Sequence, residues 1–303
     1  MKDVIIIGAG PCGLTSALYT ANAGLSTVIL EKSVYGGQLI NTAEIDNYPG
    51  VGRISGYELA QKMYSQLDTS GVSLTYAEAL SIEREGEAFR VKCNTGDFTA
   101  RCVIIANGAS RRLLGCEGEH RFTGRGVSYC AVCDGNFFRG KEVCVVGGGN
   151  SALEEALYLS GICSRVWLIH RRGSFSADAR YIGAVDDRDN ITVLYHHTVT
   201  EVCGDDRVRS VKVKSAVDDK AATLNVSAMF VAVGCAPENV RFADTVTLSS
   251  AGYILAGEDC RSSVPGIFAA GDTREKHVRQ IVTAVADGGA AALAASDYIR
   301  GIS

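Results

Sequence analysis

A strand, a glycine turn, a helix and a second strand occur in that order twice in the chain, and this repeat constrains the fold most. In the first unit, an apolar strand at 4–7 runs into Gly8-Ala9-Gly10-Pro11-Cys12-Gly13, a helical pattern ends at Gly24, and a second strand ends at Glu31. Glycines at this spacing let the backbone approach a pyrophosphate at the helix N-terminus, and the acid can bind ribose hydroxyls. This order of elements predicts a dinucleotide-binding unit.

The second unit repeats the first in the same register. The strand 143–146 leads into Gly147-Gly148-Gly149-Asn150-Ser151-Ala152, and His170-Arg171-Arg172 begins 23 positions after the first glycine, as Glu31 does in the first unit. An acid suits a bare ribose, whereas arginines suit a 2′-phosphate. We therefore expect one site for FAD and one for NADPH. The alternative for the two arginines is a solvated loop, which the matching register disfavours.

A Cys-x-x-Cys pair, Cys130 and Cys133, lies just before the second unit, and Asp134 follows it directly. Two cysteines at this spacing can close a tight disulfide, and the pairing tends to lower the pKa of one thiol. A redox-capable pair leading into a nucleotide fold suggests electron transfer between a cofactor and a disulfide. The alternatives are half of a zinc site or two buried cysteines. Zinc binds four ligands, and no second Cys-x-x-Cys or His-rich segment accompanies the pair, so no metal is expected.

Composition narrows the range of partners. The formal charge of −4 and the pI near 5.8 give no basic field for nucleic acid. No run approaches the roughly eighteen apolar residues of a membrane span. The start of the chain enters a strand without a signal-peptide pattern, so we expect a cytoplasmic protein. Nine of the eleven cysteines are expected to be small buried hydrophobes.

The segments between the motifs predict further elements. Helices are expected at 54–70 and at about 280–299. Buried strands are expected at 103–108 and 230–234. Alternating patterns predict two antiparallel inserts, with strands near 72–76, 79–83, 88–93 and 98–100 in the first, and near 191–195, 199–203, 208–214 and 223–227 in the second.

Together these motifs resemble the low-molecular-weight, bacterial-type thioredoxin reductases over essentially the whole chain. Besides the two glycine turns, the resemblance rests on Gly36-Gly37-Gln38, Asn47-Tyr48-Pro49-Gly50, Cys130-Ala131-Val132-Cys133-Asp134-Gly135, His170-Arg171-Arg172, Gly271-Asp272 and Arg279-Gln280. The cysteine pair lies inside the second nucleotide domain, which separates this family from its glutathione reductase and lipoamide dehydrogenase relatives.

The resemblance implies an α/β fold with two Rossmann-like nucleotide-binding domains, the second inserted in the first, each with an antiparallel β insert. It assigns 1–111 plus 239–303 to FAD and 112–238 to NADPH, and it implies a homodimer. The FAD contacts would include Gly8, Gly10, Pro11, Gly13, Glu31, Gly37, Gln38, Asn47, Gly108, Asp272, Arg279, Gln280 and Ile281. The NADPH contacts would include Gly147, Gly149, Asn150, Ser151, Ala152, His170, Arg171 and Arg172. For Asp272 the alternative role is helix capping.

The implied activity is that of a thioredoxin-disulfide reductase. Electrons would pass from NADPH through FAD to the disulfide of Cys130 and Cys133, and on to a thioredoxin-like or glutaredoxin-like protein. By family analogy Cys133 faces the flavin, Cys130 attacks the partner's disulfide, and Asp134 donates and accepts the proton, with a helix N-cap as its alternative role. The inserted domain would rotate about connections near 111–116 and 235–240.

Two departures from the family pattern bear on specificity. Ser176 stands where an arginine usually adds to 2′-phosphate binding, which predicts a weaker preference for NADPH, although Arg180 could compensate. Asn107 stands where a threonine is common. The competing functions are a dithiol oxidase, a ferredoxin-dependent relative of the same fold, and a non-catalytic flavin redox sensor. The intact second glycine turn and the arginines that follow it disfavour the first two.

Overall fold

The computed structural model describes residues 1–42, 45–67 and 71–301 of the chain. The chain forms two compact units. The first unit comprises Met1–Ser110 and Ala236–Ser303, and the second, which we call the inserted unit, comprises Arg111–Cys235.

The strands in chain order are β1 (Lys2–Ile7), β2 (Thr27–Glu31), β3 (Ser73–Tyr76), β4 (Ala79–Glu85), β5 (Ala88–Cys93), β6 (Phe98–Ile105), β7 (Ser110–Arg111), β8 (Val127–Ser128), β9 (Glu142–Gly147), β10 (Arg165–His170), β11 (Ile191–Tyr195), β12 (His197–Gly204), β13 (Val208–Ser215), β14 (Ala221–Asn225), β15 (Ala228–Ala232), β16 (Cys235–Ala236) and β17 (Ile267–Ala269). The α-helices are α1 (Pro11–Asn22), α2 (Gly56–Ser65), α3 (Glu119–Phe122), α4 (Ala131–Asp134), α5 (Asn150–Ser160), α6 (Ala179–Asp186) and α7 (Ile281–Arg300). Short 3-10 helices lie at Gly37–Asn41, Gly135–Phe138, Val240–Phe242 and Gly271–Thr273.

The first unit is built on a sheet in which β3, β2, β1 and β6 are parallel neighbours. β1 lies between β2 and β6, and its Val4, Ile5, Ile6 and Ile7 are all buried. A continuous apolar run is typical of a parallel strand covered on both faces. Val4 and Ile6 pack with residues of α1 and α7 on one face, and the alternate residues pack into a second cluster on the other.

β6 joins two segments that the sequence predicted as separate strands, 98–100 and 103–108. The strand is continuous through Cys102, which is buried and pairs with Val4 of β1. The beginning of β6 pairs antiparallel with β5, while its end pairs parallel with β17. One strand therefore serves both the insert and the central sheet, and the predicted break was wrong.

Two strands assigned to the antiparallel inserts belong to the parallel sheets instead. β3 pairs parallel with β2, and β11 pairs parallel with β10. In each case a helix, α2 or α6, separates the paired strands in the chain, and such a crossover returns the strand parallel to its predecessor. Both strands are partly exposed, so their alternating pattern did not reveal their direction.

The two helices predicted around the first sheet are present with adjusted bounds. α2 begins after Ser55, whose hydroxyl accepts the backbone N–H of Glu58 at 3.2 Å in a capping box. It ends at Ser65, and residues 68–70 of the predicted helix lie outside the described part of the chain. α7 is the long final helix and begins after Gln280.

The inserted unit has a parallel sheet in the order β11, β10, β9, β15, β8, and a separate antiparallel sheet of β12, β13 and β14. α5 packs on the parallel sheet through Leu153, Ala156 and Leu159, which are fully buried. Among the described helices, none is long and apolar enough to cross a membrane.

Candidate active site

The cysteine pair lies in a tight turn between β8 and the 3-10 helix Gly135–Phe138. Cys130 and Cys133 form a disulfide with 5.3 Å between their Cα atoms, and both residues are partly exposed. The backbone N–H of Cys133 donates to Cys130 Sγ at 3.2 Å, so the Cys130 side chain occupies the N-cap position of α4. We call residues Ser128–Gly135 the redox turn.

Asp134 is linked to the cysteine backbone through one hydroxyl group. Ser128 Oγ donates to Asp134 Oδ2 at 2.5 Å, and the backbone N–H of Cys130 donates to Ser128 Oγ at 3.2 Å. A carboxyl group held this close to the pair can take up and release protons during thiol–disulfide exchange. The sequence assigned no role to Ser128, because a serine ahead of a Cys-x-x-Cys pair has no distinctive pattern.

The other described cysteines are poor nucleophiles. Burial raises the pKa of Cys93, Cys116 and Cys163 to about 11, and that of Cys102 and Cys260 to about 12. Since the thiolate is the reactive form, these thiols stay protonated and inert near neutrality. Of the nine cysteines predicted to be buried, six are buried, namely Cys12, Cys93, Cys102, Cys144, Cys163 and Cys260. The prediction was wrong for Cys116 and Cys203, which are partly exposed; Cys116 packs at the edge of a hydrophobic cluster. The side chain of Cys235 lies outside the described residues.

In the first glycine turn, glycines stand where the backbone comes too close to its neighbours to leave room for a side chain. Gly8 has φ +106°, and a Cβ there would lie 2.4 Å from the carbonyl oxygen of Ala106. A Cβ on Gly13 would lie 1.9 Å from the Gly8 carbonyl oxygen. Gly10 faces Gly37, with a Cβ on Gly10 reaching only to 3.9 Å from the Gly37 Cα. Gly10 and Gly37 thus approach each other closely, and neither places a side chain over the neighbouring main chain.

Glu31 is buried at the end of β2, beside this turn. Its Oε2 accepts the backbone N–H of Ala9 at 2.8 Å, and its Oε1 accepts that of Ser33 at 3.0 Å. The carboxylate therefore holds the glycine turn against the loop after β2. Pro11 is the first residue of α1, and Gln38 lies in the 3-10 helix that starts at Gly37.

The remaining predicted FAD residues lie at the start of α7 and beside it. Asn47 Nδ2 donates to Gln280 Oε1 at 3.4 Å, and Gln280 caps α7, of which Ile281 is the first residue. The Arg279 guanidinium lies over the Tyr253 ring at 4.1 Å. Among the described residues, its Nε is buried without a hydrogen-bond partner. Asp272 lies in the 3-10 helix Gly271–Thr273, and Gly108 has φ +70° after β6.

The second glycine turn is supported by a histidine. A Cβ on Gly148 would lie 2.1 Å from the His170 ring, and His170 is itself buried, with its Nε2 donating to the Ser174 carbonyl at 3.0 Å. A Cβ on Gly147 would clash with Ala232, whereas the space beside Gly149 is open. His170 thus fills the space beneath the turn.

Arg171 and Arg172 follow on the exposed surface. The loop after them is docked onto the same turn. The backbone N–H and the hydroxyl of Ser176 both donate to the Gly148 carbonyl, at 2.8 and 3.1 Å. Asn150, at the start of α5, exchanges two hydrogen bonds with Asp178, at 3.1 and 2.8 Å. The Arg180 guanidinium lies over the Tyr181 ring and 3.8 Å from Asp178. Ser176 therefore fastens the loop, and Arg180 has a neighbouring acid.

Comparisons with known proteins find relatives that match nearly the whole chain. The model of the pyridine nucleotide-disulphide oxidoreductase family matches residues 2–288. A thioredoxin reductase from Listeria innocua is 43% identical over 299 residues, covering 98% of this chain and 94% of the relative. One from Bacillus subtilis is 41% identical and covers 98% and 95%.

The fold has a close counterpart among solved structures. The crystal structure of thioredoxin reductase from Streptococcus pyogenes has a TM-score of 0.95 at 41% identity, with 99% of each chain covered. This similarity confirms the predicted α/β fold class with two Rossmann-like domains.

Proposed function

The chain belongs to the pyridine nucleotide-disulphide oxidoreductase family, and from this premise we propose that it is a thioredoxin-disulfide reductase that uses NADPH and FAD. The observation that carries the proposal is the partly exposed Cys130–Cys133 disulfide, which lies in the same unit as the second glycine turn. When bound, FAD and NADPH supply the transfer of two electrons toward this disulfide.

The residues of the first unit fit FAD. Gly10 and Gly37 place no side chain over the main chain at the start of α1, where a pyrophosphate is favoured. The buried Arg279 Nε has no hydrogen-bond partner among the described residues, so it is available to donate to a ligand. We propose that these residues, together with Asn47, Asp272 and Gln280, hold the cofactor.

The inserted unit fits NADPH through its open Gly149 and the exposed Arg171 and Arg172. A 2′-phosphate is recognised by arginine forks. The hydroxyl of Ser176 is committed to the Gly148 carbonyl, and Arg180 stands beside Asp178. We therefore propose a preference for NADPH that is smaller than three arginines would give.

The redox turn accounts for the chemistry of the disulfide. Once the pair is reduced, the Cys130 thiolate attacks the disulfide of thioredoxin, one partner sulfur leaves, and a mixed disulfide forms. The Cys133 thiolate then attacks Cys130 Sγ, closing the internal disulfide and releasing the second partner sulfur. Asp134, held by Ser128 at 2.5 Å, donates a proton to the first leaving sulfur, takes up the proton of the Cys133 thiol as that thiol becomes a thiolate, and passes it to the second leaving sulfur.

Three proposals rest on the resemblance alone. We propose that the protein is a cytoplasmic homodimer, that FAD is bound by 1–111 with 239–303 and NADPH by 112–238, and that the inserted unit rotates about its two connections during turnover.

The proposed function is tested on the purified flavoprotein under anaerobic conditions. NADPH should bleach the flavin absorbance, and a thioredoxin coupled to a chromogenic disulfide should then sustain turnover. Cys130→Ser is the matched variant: it should abolish disulfide turnover and leave bleaching by NADPH intact. If ferredoxin or a small dithiol bleaches the flavin and NADPH does not, the proposed function is wrong and the result supports one of the competing functions.

A further inference from the structure

Glu155 lies beneath the redox turn. It belongs to the second turn of α5, and the backbone N–H of Ala131, the residue after Cys130, lowers the pKa of its carboxyl group. Ala131 is fully buried and packs against Ala152 and Ala156 of α5. The carboxylate therefore lies near the residue that follows the sulfur proposed to attack the partner.

The redox turn packs closely on α5 around this contact. A Cβ on Gly135 would lie 2.9 Å from Leu159 Cδ2 and 3.1 Å from Tyr158 Cε1. In the described part of the chain, Glu155 Oε2 is buried and has no hydrogen-bond partner. A buried carboxylate oxygen without a donor is costly, and protonation removes that cost.

Two charged groups of the inserted unit act on Glu155. Arg111 of β7 lowers the pKa of Glu155 electrostatically, while Glu154 on α5 itself raises it. Glu154 accepts a hydrogen bond from the Tyr181 hydroxyl. Burial is the largest influence and raises the pKa of Glu155 to about 7, with the disulfide closed. The group therefore titrates in the physiological range.

We propose that Glu155 is a positioning residue that takes up a proton when the Cys130–Cys133 disulfide is reduced and releases it when the disulfide reforms. The inference rests on the proposed function, because it requires that this pair cycle between disulfide and dithiol. Nothing in the sequence pattern distinguishes Glu155 from Glu154 as a surface acid.

The charge balance explains the coupling. Reduction breaks the Sγ–Sγ bond and adds two electrons, which leave two sulfur atoms carrying thiolate or thiol. Negative charge at the sulfurs, next to a carboxylate in a partly buried site, raises the pKa of that carboxyl group. Where one sulfur remains a thiolate, one proton binds at the other sulfur and one at Glu155. When thioredoxin disulfide accepts the two electrons, its own sulfurs take these two protons, and Glu155 ionises again.

The sign of the pH dependence follows from linkage. Below the pKa of Glu155 in the oxidised protein, the group is protonated in both states, and reduction takes up no proton there. Above that pKa the reduced protein binds an extra proton, so each further pH unit disfavours reduction by up to tenfold, about 30 mV for a two-electron couple. The effect ends where the reduced protein also loses the proton.

The test equilibrates the holoenzyme with mixtures of reduced and oxidised dithiothreitol between about pH 6 and pH 9, across the pKa of Glu155. Differential alkylation and peptide mass spectrometry read the Cys130–Cys133 pair separately from the flavin. Glu155→Gln keeps an oxygen for the Ala131 N–H and removes the titration. Wild type and Glu155→Gln should coincide near pH 6, and near pH 8 the variant's pair should be reduced about fivefold more readily, for a pKa shift of one unit.

Two further variants complete the design. Glu142→Gln removes an exposed carboxylate at the start of β9 in the same unit and should follow the wild-type curve. Arg111→Met removes the cation that lowers the pKa of Glu155, so the pH above which reduction of the pair becomes less favourable should rise. This variant replaces Glu155→Gln as the test if Glu155→Gln does not fold. Parallel curves for wild type, Glu155→Gln and Arg111→Met would overturn the inference. A pair that never exchanges with dithiothreitol would instead overturn the proposed function.

Discussion

Replacing Ser176 with arginine should increase the preference of the enzyme for NADPH over NADH. The exposed Ser176 side chain lies at the second glycine turn, with its Oγ 4.0 Å from the position of a Cβ on Gly149. Its backbone N–H donates to the Gly148 carbonyl at 2.8 Å, and the substitution keeps that bond. The loop therefore stays docked while a third cation joins Arg171 and Arg172.

The magnitude follows from two opposing contributions. A hydrogen bond to a charged group contributes about 1.5–3 kcal/mol, but exposed ion pairs contribute about 1 kcal/mol or less, so a partly exposed arginine–phosphate contact contributes about 1–2 kcal/mol. This corresponds to about 5- to 30-fold in kcat/KM for NADPH. Loss of the Ser176 Oγ bond to Gly148, 3.1 Å long, costs about 1 kcal/mol. Both nucleotides bear that cost, so it cancels in their ratio.

The assay compares kcat/KM for NADPH and NADH in wild type and Ser176→Arg, at low salt and at about 0.5 M salt, where surface electrostatics weaken. Ser164→Arg is the control: it adds the same charge at the opposite end of β10, about 20 Å away by strand length. The NADPH/NADH ratio should rise in Ser176→Arg, fall back at high salt, and stay unchanged in Ser164→Arg. An unchanged ratio in Ser176→Arg, or an equal rise in both variants, would refute the reasoning.

Two further predictions concern carboxylates in the two units. The Asp134→Asn variant still accepts the Ser128 hydrogen bond but cannot donate a carboxyl proton. It should lower thioredoxin turnover about 100-fold and leave flavin reduction by NADPH, followed by stopped flow, unchanged. Equal losses in both steps would contradict the proton role. In the first unit, burial raises the pKa of Asp287, but hydrogen bonds from Arg274 and Lys276 outweigh it and hold the pKa below its usual range. Because the folded pKa is depressed, Asp287 stabilises the fold above its unfolded pKa and loses this contribution as pH falls below about 4. Asp287→Asn should therefore cost about 3 kcal/mol of unfolding free energy at pH 7, less at acid pH, and a pH-independent difference in denaturant titrations would count against the ion-pair assignment.

The motifs were predictable because each is encoded in consecutive residues. The first glycine turn needs Gly8 at φ +106° and Gly13 against the Gly8 carbonyl, so the chain cannot form this turn with other residues there. The disulfide spacing is likewise local. The sequence accordingly identified both turns and the cysteine pair, and the fold class followed from their order.

Strand direction was less predictable, because it depends on the connection that precedes the strand. β3 and β11 alternate like antiparallel edge strands, yet both are parallel, since a helix precedes each of them. The helix α6, which precedes β11, was not predicted from the sequence. It is only eight residues long and Val185 is its one buried residue, so too few positions are available for a helical apolar period to stand out.

The side chains that support the redox turn could not be found from the sequence, because their roles depend on burial. Glu154 and Glu155 are adjacent acids on a helix, a pattern that normally indicates a solvated face. Only packing separates them: one accepts from Tyr181, and the other reaches under Ala131. α5 thus begins at the glycine turn and, on its next turn, supports the disulfide. The second glycine turn and the redox turn are therefore positioned by the same short helix of the inserted unit, so a change in the packing of α5 affects both.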